Sequence, residues 1–298
     1  MKLFSQLPVL QLTSVRQTAT ATARMVMGKI DTSGLTEAQA TLLMPLWARA
    51  LESRRERPIL RDTKAEEIVK SLDFDFDLFR KKAVPVADYC LRAAVIDQLV
   101  RQFLERNEPA TVVELGVGLD TRSERLDNGK TTWVEFDLRN AMDVRKNFFE
   151  STPRRVMISG SLLESNWVEQ VVPHCKGPTL FVAEGVLYFF KQKQVQEILA
   201  QLVEHFPNSG LIFDAQSPWF LKLSNLRHPF GDSHLDFSLA SVKNIETWDE
   251  RLRVHKYVGF GDSPYYDAAM PRLSQLRRWG RYLFPPVRHL FKIVHVVW

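Results

Sequence analysis

The chain has 298 residues, 45% of them hydrophobic and 25% charged, with a net charge of +5. This composition suits one large buried core, or a domain with a cap, and excludes a disordered or collagenous chain; no apolar run approaches the roughly 18 residues of a membrane span. Two cysteines, Cys90 and Cys175, lie in apolar surroundings with no Cys or His at metal-binding spacing, which excludes a disulfide framework and leaves no metal site, in a reducing, cytoplasmic setting.

The first 30 residues carry Lys2, Arg16, Arg24 and Lys29, no acid, and a Thr/Ala run from Thr18 to Ala23. They read as a disordered tail; an organelle transit peptide, or an upstream start before Met25 or Met27, are the alternatives. Residues 36–55 read as an amphipathic helix, and Pro85 to Arg106 as another, with Leu91, Val95, Leu99 and Phe103 at helical spacing. Residues 31–108 are therefore expected to form a helical cap. From residue 109 strands (near 111–116, 131–137, 155–161, 179–185 and 210–216) alternate with helices (near 139–150, 165–172 and 191–206). Such alternation gives an α/β fold with a parallel sheet covered on both faces, here over 109–298.

Residues 217–285, rich in Pro, aromatics and His, read as a substrate lid inserted before the last strand, Phe291 to Trp298. Within it His228, His234 and His255, with Trp219, Phe220, Phe230, Phe237, Tyr265 and Tyr266, are candidates for an aromatic pocket with an imidazole near the substrate, a surface or packing role being the alternative for each histidine. The segment from Ala268 to the end has no acid and carries Arg272, Arg277, Arg278, Arg281, Arg288 and Lys292. Three readings stand side by side: a solvated basic helix followed by a strand, a field that draws in an acidic substrate, or a dock for membrane or nucleic acid. Leu273, Leu276, Trp279 and Leu283 give it one apolar face, and no nucleic-acid partner is expected.

The most informative stretch is Thr111 to Arg122, Thr-Val-Val-Glu-Leu-Gly-Val-Gly-Leu-Asp-Thr-Arg. A β-branched strand runs into Gly116 and Gly118, which let backbone turn tightly and approach a ligand without a Cβ in the way. Asp137 closes the next apolar run, where α/β nucleotide folds place a carboxylate for two ribose hydroxyls. Thr121 stands where a dinucleotide fold has its third glycine beside the pyrophosphate. An adenosine cofactor without phosphate, S-adenosylmethionine, fits this better than a nicotinamide dinucleotide.

The ordered blocks Gly118-Leu119-Asp120-Thr121-Arg122, Trp133 to Leu138, Ala183-Glu184-Gly185-Val186-Leu187 and Phe213-Asp214-Ala215 resemble those of the leucine carboxyl methyltransferase family. With Leu46 to Glu52 and Tyr89-Cys90-Leu91-Arg92, the chain most resembles its bacterial branch of polyketide-type O-methyltransferases, from about residue 36 to the C-terminus. The resemblance implies a Rossmann-like class I methyltransferase fold with a seven-stranded sheet. It also implies that Arg92 pairs with the cofactor's carboxylate, that Gly116 and Gly118 form the turn beneath its methionine part, that Asp137 with Leu138 beside it takes the ribose, that Ser161 and Leu162 contact the adenine, and that Glu184 stands by the amino group. Relatives often have Asp at or near Ser161. The residues alone leave Arg92 open as a helix-surface arginine, and Asp120 and Arg122 open as a mutual pair or a helix cap. An acid such as Glu184 at the carboxyl end of a central strand is where α/β sheets take ligands.

A sulfonium methyl is already activated, so the enzyme's task is alignment of acceptor oxygen, methyl carbon and sulfur. An ionised carboxylate acceptor needs no base, whereas a hydroxyl does. Many relatives have Tyr where this chain has Phe189, with Tyr188 one place earlier; adjacent strand residues face opposite sides, so Tyr188 substitutes only if the chain has left the strand. The expected activity is O-methylation of a small acidic or hydrophobic molecule in natural-product biosynthesis. A protein C-terminus as acceptor, a nicotinamide oxidoreductase and a catalytically silent scaffold are the rivals.

Overall fold

Short β-branched and aromatic runs, most of them closed by a glycine or an acid, build the central sheet. The computed structural model of the protein describes residues 25–26, 28–32, 41–226, 234–269 and 291–298. Within them β1 (Thr111–Leu115), β2 (Thr132–Asp137), β3 (Arg155–Ser159), β4 (Thr179–Ala183), β5 (Gly210–Gln216), β6 (Arg253–Gly259) and β7 (Phe291–Val297) form one sheet in the order β3-β2-β1-β4-β5-β7-β6. β1 to β5 are parallel, and β7 runs antiparallel between β5 and β6. Every residue of β1 and β4 is buried, as continuous apolar runs between two helical layers require. The strand order reverses between β1 and β4, so their carboxyl ends open the crevice where such sheets take ligands.

The helical layers follow from the two-residue period of the strands. Val112, Leu180, Val182 and Ile212 face one side and meet Val95, Ile96, Leu99 and Val100 of the long helix Val86–Arg106. Val113, Phe181, Leu211 and Phe213 face the other and meet Ile198, Leu199 and Leu202 of the helix Gln192–His205. The second helix expected in the cap therefore covers the sheet itself. Over the crevice, the helix Leu43–Ser53 packs Leu43, Leu46 and Trp47 on Ile68, Leu72, Phe79 and Leu119.

Three expectations shift. The tail over 1–30 extends too far, because Met25–Val26 pairs with Lys29–Asp31, which in turn pairs with Leu72–Asp73; residues 1–24 and 27 lie outside the described residues. The stretch expected as a lid contains the sheet strand β6, which bulges against β7: His295 pairs with Lys256 and Val296 with Val254, leaving His255 as the extra residue. That bulge, on an edge strand whose Arg253, His255, Lys256 and Tyr257 are exposed, erases the apolar alternation by which a strand is read. The helix expected near 139–150 ends at Arg145, and the one near 165–172 spans Trp167–Val171. No described helix is long and apolar enough to cross a membrane. Residues 270–290, with most of the basic C-terminal segment, and 227–233, with His228 and Phe230, lie outside the described residues.

Candidate functional site

The turn after β1 is built on backbone that favours glycine. Gly116 and Gly118 have φ of +66° and +50°. A Cβ on Gly116 would run into Val186, and one on Gly118 would lie 2.8 Å from Leu42 Cδ2. Asp137, ending β2, closes the turn: its Oδ2 accepts from Gly118 N at 2.6 Å and its Oδ1 from Leu138 N at 2.7 Å. Burial raises the Asp137 carboxyl above the usual carboxylate range, with the Gly118 and Leu138 amides opposing it. Thr121, at the position of the missing third glycine, is buried and donates its hydroxyl to Asp62, which also takes Arg49 Nε at 2.8 Å. The turn is thus anchored to the helices above it.

Beside the turn lies a buried ionic network. Arg92, on the long helix, donates from Nε to Glu184 Oε1 at 2.9 Å and from Nη1 to Asp214 Oδ2 at 3.0 Å and Tyr188 OH at 3.1 Å. Arg122 holds Asp97 Oδ1 at 2.8 Å, Glu114 Oε1 at 2.6 Å and Glu184 Oε2. Asp120, just before the N-cap residue Thr121 of the helix Arg122–Leu126, accepts from Arg122 N at 2.7 Å, and its Oδ2 lies 3.7 Å from Arg122 Nη2 and 3.6 Å from Arg49 Nη1. Of the two alternatives left open for this pair, the mutual pair is realised, while the cap position falls to Thr121. Burial alone would raise the Asp120 carboxyl, but the Arg122, Arg49 and Arg125 guanidiniums outweigh it and hold it well below the ordinary range.

These elements surround a cavity of about 1010 Å³. All eight residues assigned above to the cofactor line it, as do Asp120, Arg122 and Tyr188. Tyr188 reaches it because β4 ends at Ala183 and Leu187–Phe189 forms a 3₁₀ turn, so strand alternation no longer applies; Phe189, 37% exposed, lines it too. Burial raises the Tyr188 hydroxyl above its ordinary range, against the pull of Arg92, which keeps it a neutral donor. Phe220 and Tyr266 also line the cavity. Trp219 is exposed, Phe237 sits in the core and Tyr265 packs at its margin. His255 meets His295 ring to ring on the sheet edge. His234, proposed as a catalytic group, does not line the cavity: its side chain is 68% exposed, 3.6 Å from Asp236.

Three residues with no role assigned from the sequence belong to this site. Glu114, in β1, lines the cavity with a side chain only 3% exposed, and its Oε2 is buried without a hydrogen-bond partner. Burial pushes its carboxyl up to about 7, against the pull of Arg122. Asp214, in β5, accepts from both Arg92 Nη1 and Gly185 N, the latter at 2.7 Å, so it fixes the arginine and the turn after β4 together. Gln216, the last residue of β5, also lines the cavity. The signal for the two acids was present, since each interrupts an apolar strand run that would otherwise be buried hydrocarbon.

The leucine carboxyl methyltransferase family model matches residues 42–203. Over 245 residues, 81% of this chain and 90% of the other, the chain is 31% identical to the tetracenomycin polyketide synthesis O-methyltransferase TcmP of Streptomyces glaucescens. It is 28% identical over 191 residues to the S-adenosyl-L-methionine-dependent methyltransferase dpfgK of Gibberella zeae, covering 59% of this chain and 64% of that one. To leucine carboxyl methyltransferase 1 of Caenorhabditis elegans it is 26% identical over 203 residues, 55% of this chain and 60% of that one. With the glycine turn, the β2 carboxylate and the sheet order already placed, these matches have one meaning: the chain belongs to the leucine carboxyl methyltransferase family and is an S-adenosylmethionine-dependent O-methyltransferase.

Proposed function

We propose that the protein methylates an oxygen of a small, largely apolar and acidic molecule of polyketide type, in the cytoplasm, with the cofactor and the acceptor sharing the single cavity described above. The observation that carries this reading is the meeting, in one space, of the Gly116–Gly118 turn, the Asp137 carboxylate and a wall of aromatic side chains. Likeness to TcmP supports a polyketide acceptor.

The residues present fit the cofactor. Asp137, its two oxygens held by backbone amides, would take the ribose hydroxyls; Leu138, half exposed, with Ser161 and Leu162 would flank the adenine. Arg92 would reach the carboxylate. For the ammonium, Glu184 is already shared between Arg92 and Arg122, whereas Glu114 keeps an unpartnered oxygen, so both acids together would form its seat. When bound, S-adenosylmethionine supplies a methyl group already activated on a sulfonium. The chain's part is then to orient the acceptor and exclude water. The described portions of 217–285 contribute Phe220, Leu223, Leu235 and Phe260 to the cavity wall, in keeping with a lid. No histidine among the described residues lines the cavity, which favours an acceptor that arrives ionised.

The test is calorimetric titration with S-adenosylhomocysteine, with NADH and NADPH in parallel, repeated from about pH 6 to about pH 7.5. Around Glu114 stand Arg122 and Asp120 from the turn after β1, Glu135 from β2 and Arg145 from the helix behind it. Below about pH 7 the Glu114 carboxyl holds a proton, which an arriving ammonium must expel. Affinity for S-adenosylhomocysteine is therefore expected to rise with pH, by up to tenfold per unit, and to level off above about 7; the ligand's own α-amino group imposes a fall only above roughly 8. Glu114→Gln should flatten this profile. A flat wild-type profile would leave the ammonium to Glu184 alone, and binding of NADH instead of S-adenosylhomocysteine would overturn the methyltransferase reading.

A further inference from the structure

Beyond the turn that would hold the cofactor, the cavity continues past the carboxyl end of β5. Its wall there is hydrocarbon and aromatic: Phe190, Phe220, Leu223, Leu235, Phe260 and Phe291. One amide stands among them. Gln216 is only 6% exposed and lines the cavity. Along β5, Ile212 packs against the long helix and Asp214 bonds Arg92 on that helix, so the two-residue period of the strand puts Gln216 on the same face, one step further out.

The surroundings of this amide fix it. Its backbone oxygen accepts from Leu239 N at 2.9 Å, and its Oε1 accepts from the Ser224 hydroxyl at 3.1 Å, on the helix Pro218–Leu226 that forms this wall. Its Nε2 finds no partner among the described residues. Its N–H donors therefore open onto the cavity, where a ligand oxygen can take them in place of water. The arginines lining the cavity, Arg49, Arg92 and Arg122, are all engaged by carboxylates. A neutral amide also has a chemical advantage: it orients an acceptor oxygen without the full counter-charge that would quench its nucleophilicity.

We propose that Gln216 binds the methyl acceptor, its Nε2 donating to an acceptor oxygen while Ser224 holds the amide in place and the aromatic wall takes the acceptor's ring. The ligand class is an aromatic acid or phenol. This rests on the methyltransferase reading above.

The experiment saturates the protein with S-adenosylhomocysteine and titrates it with two probes, naphthalene-2-carboxylate and 2-naphthol. The wild type is expected to bind at least one of them. Gln216→Leu should weaken that binding about tenfold or more. Gln216→Glu should abolish binding of the carboxylate through charge repulsion, and Ser224→Ala should weaken it a few-fold. Affinity for S-adenosylhomocysteine should stay within about twofold of wild type in all three variants, which also confirms that they fold. If 2-naphthol is the probe that binds and Gln216→Leu weakens it, the subsite stands and the acceptor is a hydroxyl. The proposal is overturned if Gln216→Leu binds the probe as the wild type does, if that variant loses S-adenosylhomocysteine, or if the saturated wild type takes neither probe. Failure of wild type to bind S-adenosylhomocysteine at all is a different result, and overturns the methyltransferase reading instead.

Discussion

The Asp137→Ala protein is expected to remain folded and to lose affinity for S-adenosylhomocysteine by a factor of about 100 or more. A carboxylate that receives two ribose hydroxyls contributes roughly 1.5–3 kcal/mol through each charged hydrogen bond, and about 3 kcal/mol already exceeds a hundredfold in affinity. The same side chain organises the turn, since its oxygens hold the Gly118 and Leu138 amides. Both amides border the cavity, where water can reach them once the carboxylate is gone, so the stability loss should stay within about 2 kcal/mol. Asp137→Asn should bind little better than Ala. An amide has one acceptor oxygen for two backbone N–H donors, and its NH2 would be pressed against the second. Calorimetry checks the affinity and urea denaturation the fold; a variant that binds within about threefold of wild type would remove Asp137 from the cofactor site.

The second large effect is on stability. Arg122→Met is expected to cost about 3–5 kcal/mol, because the guanidinium is 1% exposed and its removal strands Glu114 in the interior, while Asp97 and Glu184 each lose one of two arginines and keep Arg125 and Arg92. Met fills most of the volume, so the loss reports charge and not a cavity. The deficit should be largest above about pH 7 and shrink as pH falls toward about 5, because burial already raises the Glu114 carboxyl to about 7 and, once protonated, it is no longer an isolated charge. Urea midpoints of wild type and variant at the two pH values measure it. A pH-independent loss would mean that Glu114 finds another partner.

Much of the fold was legible because its signals are local. Five strands announced themselves as apolar runs with sharp ends, and the glycine turn and Asp137 gave the cofactor side of the site. What stayed hidden depends on distant packing. β6 reads as loop because its exposed residues and its bulge leave no period to detect. Without the resemblance, Arg92 could have been a surface arginine; only the sheet's topology brings Glu184 and Asp214, 92 and 122 residues away, against it. Tyr188 was undecidable from alternation, since the answer lay in where β4 stops. His234 was put forward as a base on chemistry alone, and the fold leaves it in solvent.

The bulge in β6 also bears on assembly. A bare outer strand is an invitation to a neighbouring molecule to continue the sheet, which is how folded proteins begin to polymerise. Here the rim carries Arg253 and Lys256 in exposed positions, and the extra residue His255 throws the spacing of backbone donors and acceptors out of step with any straight partner. Two copies approaching along this rim would meet like charge and mismatched hydrogen bonds, so the border resists extension of the sheet from one molecule into the next.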